Sequence, residues 1–148
     1  MTVMVPYDGS PLAQAALRRG RQLTDALSTP LLAVTVLPED PDYAAGKDWL
    51  AGDGGFEPDR IVAGLRHQIT ELAPEAGFRC LRVEGEVGPD GLAGRLRAQA
   101  AEAGATVVVL GSHSPDPLLE ALLGPEEPGP AVECDVYVVR TRPAGRAE

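Results

Sequence analysis

The sequence predicts a doubly wound α/β fold, in which one domain is built on a five-stranded parallel sheet with helices on both faces. A length of 148 residues suits a single domain, and a hydrophobic content of 44% is enough for a substantial core. The strand-like segments are apolar runs without polar alternation, which is typical of strands buried on both faces. Segments with helical spacing alternate with these strands, and right-handed crossovers between parallel strands then give the doubly wound arrangement.

The first half of the pattern begins with a strand at Thr2–Tyr7, which ends at the turn signal Asp8-Gly9. Ser10-Pro11 is typical of the N-cap and first position of a helix. Thr29-Pro30 ends that helix, and Leu31–Leu37 is a second all-apolar strand. The apolar stripe of the first helix is predicted to comprise Leu12, Ala16, Leu23 and Leu27.

The second half continues the alternation to a C-terminal strand. Helices are predicted to begin at Pro58 and Pro89, and a short helix is predicted at Leu118–Leu123. The remaining strands are predicted at Phe78–Val83, Thr106–Leu110 and Val136–Arg140. The domain is expected to span residues 1–142, followed by a polar tail at 143–148.

Pro38–Glu57 is predicted to be a long surface loop, because glycines, prolines and acidic residues dominate it. One helical turn is expected near Tyr43–Leu50, and Trp49 and Phe56 are expected to anchor the segment. Loops of this length are uncommon in compact domains unless they are functional or mobile.

The charge and the cysteines restrict the environment and the partners. A net charge of −9 and a pI of about 4.7 predict repulsion of nucleic acids and anionic lipid. The single lysine among many Arg, Ala, Gly and Pro residues fits a GC-rich genome, and the alternative is a salt-adapted organism with an acidic surface. No apolar run approaches the length of a membrane span, and no signal peptide is expected. Cys80 and Cys134 are predicted to be free thiols, which indicates a reducing, cytoplasmic location.

Polar residues follow two of the predicted strands, and ligands of doubly wound sheets bind at such carboxyl ends. Asp8-Gly9-Ser10 follows the first strand, and Gly111–Ser114 follows the fourth. Asp8 has two interpretations, since an aspartate at this point either contacts a ligand or caps the amides of Ser10–Ala13. The hydroxyls beside His113 are a weaker candidate for hydrolytic chemistry, because neighbouring residues seldom form a nucleophile–base pair without a third partner.

Four segments in this order and spacing resemble the universal stress protein family. Val5–Ser10 is similar to the family's first strand and turn, and Val107–Ser112 is similar to the end of its fourth strand. Leu122-Leu123-Gly124 and Cys134–Val139 resemble a later loop segment and the closing strand. The resemblance covers the chain except for Pro38–Glu57. It implies a parallel sheet of order 3-2-1-4-5 and a homodimer formed through Val136–Arg140.

Some members of the family bind ATP, and the resemblance implies which residues would do so here. Asp8 and Val36 match positions that contact the base and the ribose. The family's phosphate loop follows the fourth strand with the pattern G-x2-G-x9-G-[S/T]. The residues of this loop that are expected to line the nucleotide pocket here are Gly111, Ser112, Ser114 and Gly124.

This phosphate loop is predicted to be impaired. With Gly124 at the third glycine of the pattern, Ser114 stands at a glycine position and Pro125 at the Ser/Thr position. Pro117 and Pro125 have no N–H to donate to a phosphate, and Glu126-Glu127 would repel it.

The sequence therefore predicts a non-catalytic stress-response module without a cofactor, which acts by dimerisation or by binding a protein partner. The alternative is a stress protein that binds ATP or AMP with weak or no hydrolysis.

Two other doubly wound classes are rejected. A phosphoacceptor receiver would need a lysine after its fifth strand, but the only lysine is Lys47; a dinucleotide dehydrogenase would need G-x-G-x-x-G where this chain has D-G-S-P-L-A.

Overall fold

The computed structural model describes residues 1–50, 55–112, 117–123 and 134–140. The strands are β1 (Thr2–Pro6), β2 (Leu31–Glu39), β3 (Gly77–Glu84), β4 (Ala105–Gly111) and β5 (Asp135–Val139). The helices are α1 (Pro11–Leu27), α2 (Pro41–Gly46), α3 (Pro58–Leu72), α4 (Pro89–Ala103) and α5 (Pro117–Leu123). The strands form one sheet of order β3-β2-β1-β4-β5, and all four neighbouring pairs are parallel. The predicted fold class and strand order are confirmed.

Helices cover both faces of the sheet, and each face has its own hydrophobic core. Successive side chains of a strand point to opposite faces, so Val3 and Val5 belong to one core and Met4 to the other. The helices α1 and α3 pack on the first face, and α4 and α5 pack on the second. This covering explains why the central strands are mostly apolar on both faces.

The buried face of α1 differs from the predicted stripe. The buried residues are Ala13, Ala16, Leu17, Gly20 and Thr24. Leu27 is 51% exposed, so its inclusion in the stripe was wrong. Small residues occupy much of the buried face because α1 packs closely on the sheet: a Cβ at Gly20 would lie 2.9 Å from Cγ2 of Val5.

The predicted long loop is partly regular structure. Pro38 and Glu39 extend β2, and Asp40 then caps α2 by accepting a hydrogen bond from the amide of Asp42 at 3.1 Å. Ala44 is fully buried, and Trp49 packs against the core. We call residues 40–50 the strap, because they return across the end of β1.

Other expectations concern the thiols and the chain end. Cys80 and Cys134 are both free, and burial raises the pKa of each thiol. No helix in the described part of the chain is long and apolar enough to cross a membrane. The predicted tail at 143–148 lies outside the described residues.

Candidate functional site

A cavity of about 390 Å³ opens at the carboxyl ends of β1, β2 and β4. Its size falls within the usual range for small-molecule sites, and its place agrees with the binding rule for doubly wound sheets. Aliphatic side chains from the strands and from α4 and α5 form most of its wall. They are Val34, Val36, Leu92, Leu96, Leu110 and Leu118.

The polar end of the cavity is formed by the turn after β1. Ser10 caps α1, because its Oγ accepts a hydrogen bond from the amide of Ala13 at 3.2 Å. The amide of Ser10 in turn donates to Oδ1 of Asp8 at 3.0 Å. Gly9 takes a φ of +84°, which favours glycine in this turn. The turn therefore holds the Asp8 carboxylate at the cavity wall. Asp8 accepts from the Ser10 amide, as the capping interpretation predicts, and contact with a ligand stays a prediction.

Asp8 forms an ion pair with Lys47 of the strap. The Lys47 Nζ lies 2.7 Å from Oδ2 of Asp8, and the two side chains are 34% and 28% exposed. Burial by itself raises the pKa of Asp8. The charge of Lys47 and the hydrogen bonds from Lys47 and Ser10 outweigh that effect and hold the pKa below its ordinary value. Asp8 is therefore a carboxylate at neutral pH.

Aromatic side chains fix the strap on this turn. The indole Nε1 of Trp49 donates to the carbonyl oxygen of Asp8 at 2.7 Å. The rings of Tyr43 and Trp49 lie 5.7 Å apart, and the Lys47 ammonium is 5.6 Å from the centre of the Tyr43 ring. The strap thus contributes both a wall and a charge to the cavity.

Tyr7 is a further lining residue that sequence reasoning missed. Its hydroxyl donates to Oε1 of Gln68 at 2.7 Å, and its backbone carbonyl accepts from Oγ1 of Thr35 at 2.7 Å. Burial, followed by the negative charge of Asp8, raises the pKa of Tyr7 to about 12. The phenol is therefore neutral at physiological pH.

The predicted base-contacting residues lie together at the cavity. Asp8 and Val36 both line it, as does Gly111 at the end of β4. Lys47 was not predicted, although it is the only lysine in a chain whose other basic residues are arginines.

The predicted phosphate-binding residues fare differently. Ser112 is buried, and its amide donates to the carbonyl of Val139 at 3.1 Å, so this N–H completes the β4–β5 pairing and does not face a ligand. Ser114 and Gly124 lie outside the described residues. Counted back from Gly124, the first glycine of the family pattern falls on Gly111, so two of its four positions are kept.

The described lining offers binding groups and few reactive ones. The Ser10 hydroxyl acts as a helix cap, and no imidazole lines the cavity among the residues described. His67 pairs with Glu71 on the exposed surface of α3, and His113 lies outside the described residues. In the same part of the chain no three His, Cys, Asp or Glu side chains are grouped to hold a metal ion.

The fold and the cavity together define a doubly wound α/β domain with a cavity at the carboxyl edge of its sheet. The model of the universal stress protein family matches residues 1–126. This match spans most of the chain, and the chain belongs to that family.

Solved structures of universal stress proteins share the fold. One from Burkholderia pseudomallei is 23% identical, with a TM-score of 0.55 over 93% of this chain and 94% of that one. A universal stress protein in complex with cAMP is 19% identical, with a TM-score of 0.55 over 95% and 96% of the two chains. One from Archaeoglobus fulgidus in complex with dAMP is 16% identical, with a TM-score of 0.56 over 93% and 96%. No curated protein sequence matches the chain.

Proposed function

We propose that this protein is a non-catalytic stress-response module whose cavity binds an adenine nucleoside or mononucleotide and does not bind ATP tightly. The observation that carries the proposal is the cavity itself, which joins an apolar wall to a single charged pair, Asp8 and Lys47. An apolar slot suits a purine ring, and a carboxylate accepts hydrogen bonds from ribose hydroxyls.

The structural neighbours support a nucleotide of this size. Two proteins of the same fold are seen with cAMP and with dAMP, each of which has one phosphate group. The cavity volume of about 390 Å³ is sufficient for a ligand of that class.

The groups that would hold a triphosphate are few. Three phosphates bring roughly four negative charges, which need N–H groups, a helix terminus, cations or a metal. The amide of Ser112 is engaged by Val139, and Pro117 and Pro125 have no amide hydrogen. The acidic pair Glu126-Glu127 in the same stretch adds repulsion. Each missing charge-assisted hydrogen bond costs about 1.5–3 kcal/mol, so two losses weaken binding by at least two orders of magnitude.

The absence of catalysis is proposed from the state of the polar groups. Asp8 is held as a carboxylate by Lys47, and Tyr7 is held neutral by burial. Neither group has a pKa near the operating pH, which efficient general acid–base catalysis requires.

Calorimetric titration of the purified protein with adenosine, AMP, cAMP and ATP tests the proposal. We expect adenosine, AMP or cAMP to bind and ATP to bind at least tenfold more weakly than AMP. Val36→Met fills part of the cavity and should weaken binding, whereas Ala63→Met adds bulk on the exposed side of α3 and should not. Micromolar affinity for ATP, or hydrolysis of ATP, would contradict the proposal.

A further inference from the structure

We propose that Lys47 determines the charge of the ligand that this cavity accepts: by neutralising Asp8 it allows a ligand with a single phosphate group to be held there. The inference rests on the proposed function and concerns a residue to which the family's nucleotide-binding motifs assign no role. It assigns the strap a role in specificity.

The charges of the cavity carry the argument. Among the described residues that line it, Asp8 and Lys47 are the only charged ones. With Lys47 at 2.7 Å, the carboxylate and the ammonium together have no net charge. Without Lys47, an anionic ligand would meet one uncompensated carboxylate inside a partly desolvated site, where the interaction between charges is stronger than in water.

The position of Lys47 is determined by packing rather than by the ion pair alone. The α2 helix is capped by Asp40, and its own residue Ala44 is fully buried against the core. The amide of Trp49 donates to the carbonyl of Ala44 at 2.9 Å, and its indole donates to Asp8. These contacts on both sides of Lys47 hold its backbone beside the cavity, so the ammonium is placed before a ligand arrives.

The charge effect can be separated from a structural effect by comparing two ligands. Adenosine and AMP share the base and the ribose and differ in the phosphate. A structural role of Lys47 would alter the affinity for both ligands equally. A charge role alters the ratio of the two affinities and leaves the affinity for adenosine nearly unchanged.

The experiment measures Kd for adenosine and for AMP in four proteins at low and high salt. Lys47→Met should lower the AMP-to-adenosine preference by about tenfold and change adenosine binding less than about threefold. Lys47→Arg keeps the charge and should retain most of the preference. The double variant Asp8→Asn/Lys47→Met removes both charges and should recover part of the preference. The preference of the unmodified protein should fall as salt rises.

Three results would count against the inference. Equal weakening of adenosine and AMP in Lys47→Met would show that Lys47 acts only through the structure. An unchanged preference in that variant would show that its charge is irrelevant. If neither ligand binds the unmodified protein, the proposed nucleotide binding fails together with this inference, whereas the first two results overturn the inference alone.

Discussion

A Cβ atom at Gly111 would lie 2.0 Å from the carbonyl oxygen of Leu12. The end of β4 therefore passes against the first turn of α1 at a distance that only glycine allows. The family resemblance assigns this glycine to phosphate binding, but its packing against α1 requires it whether or not a phosphate is bound.

Gly111→Ala is expected to destabilise the protein by roughly 3 kcal/mol, because the clash is with backbone atoms that cannot rotate away. Gly64→Ala is the matched control, since a Cβ there meets nothing within 4 Å and the site lies in the exposed middle of α3. That control should be neutral or raise the free energy of unfolding by up to about 1 kcal/mol. Urea unfolding measures both, and equal effects of the two substitutions would show that the close approach is not present in solution.

Lys47→Met is expected to lower stability in a pH-dependent manner. The folded state holds the pKa of Asp8 below its ordinary value, so the stabilisation is present above the unfolded pKa of about 4 and is lost as pH falls through the lower folded value. We expect a loss of about 1 kcal/mol at pH 7, since the pair is partly exposed, and a difference that shrinks as the pH falls below about 4.

The matched control for this ion pair is Arg60→Met, which removes the more exposed pair between Arg60 and Glu57. That substitution should change the free energy of unfolding by less than about 0.5 kcal/mol. Chemical denaturation at several pH values measures both variants. A loss in Lys47→Met that is independent of pH would mean that Asp8 is not its partner.

Tyr7→Phe is expected to cost about 1 kcal/mol near pH 8, because it leaves Gln68 without its donor. The pKa of Tyr7 is raised to about 12, so its stabilising effect is complete below the unfolded pKa of about 10 and is lost as pH rises through about 12. The difference between the two proteins should therefore narrow above pH 10.

Tyr137→Phe is the control for this titration, because it also removes a phenol hydroxyl, one that accepts a hydrogen bond from Arg19 at 3.2 Å on the exposed surface. Its effect should be below about 0.5 kcal/mol, since the ring is kept and an exposed hydrogen bond contributes little. Chemical denaturation at pH 8 and pH 11 measures the free energy of unfolding of each variant. A destabilisation by Tyr7→Phe that grows with pH would contradict the prediction.

The homodimer through Val136–Arg140 stays a prediction, and the two edges of the sheet differ in a way that favours it. The β3 edge includes Arg79 and Arg82, and charged side chains discourage edge-to-edge association. The β5 edge reads Asp-Val-Tyr-Val-Val, with Tyr137 40% exposed. A twofold axis would pair β5 with its own copy, antiparallel.

Sedimentation tests the dimer. We expect the protein to be a dimer at a concentration of roughly tens of micromolar, where an interface of ordinary size is occupied. Tyr137→Asp should dissociate it, whereas Leu27→Asp, at an exposed apolar residue of α1, should not. A monomer in the unmodified protein at this concentration would exclude the β5 interface.

The strands, the main helices and part of the site could be predicted from sequence because they depend on local patterns. Apolar runs predicted the strands, and Ser10-Pro11 predicted the cap of α1. Asp8, Val36 and Gly111 come together because the carboxyl ends of parallel strands lie at one edge of the sheet, which follows from strand order.

The tertiary structure alone decided which charges and hydrogen-bonding groups are paired at that edge. Lys47 and Asp8 are separated by 39 positions, and their contact depends on how the strap packs around Ala44 and Trp49. The sequence predicts that the amide of Ser112 faces a phosphate, whereas in the structure it donates to the carbonyl of Val139 in β5. Composition and periodicity report which residues are buried, whereas the pairing of particular donors and charges depends on distances between segments remote in sequence. For this protein the sequence determined the family and the location of the cavity, and packing determined its charge.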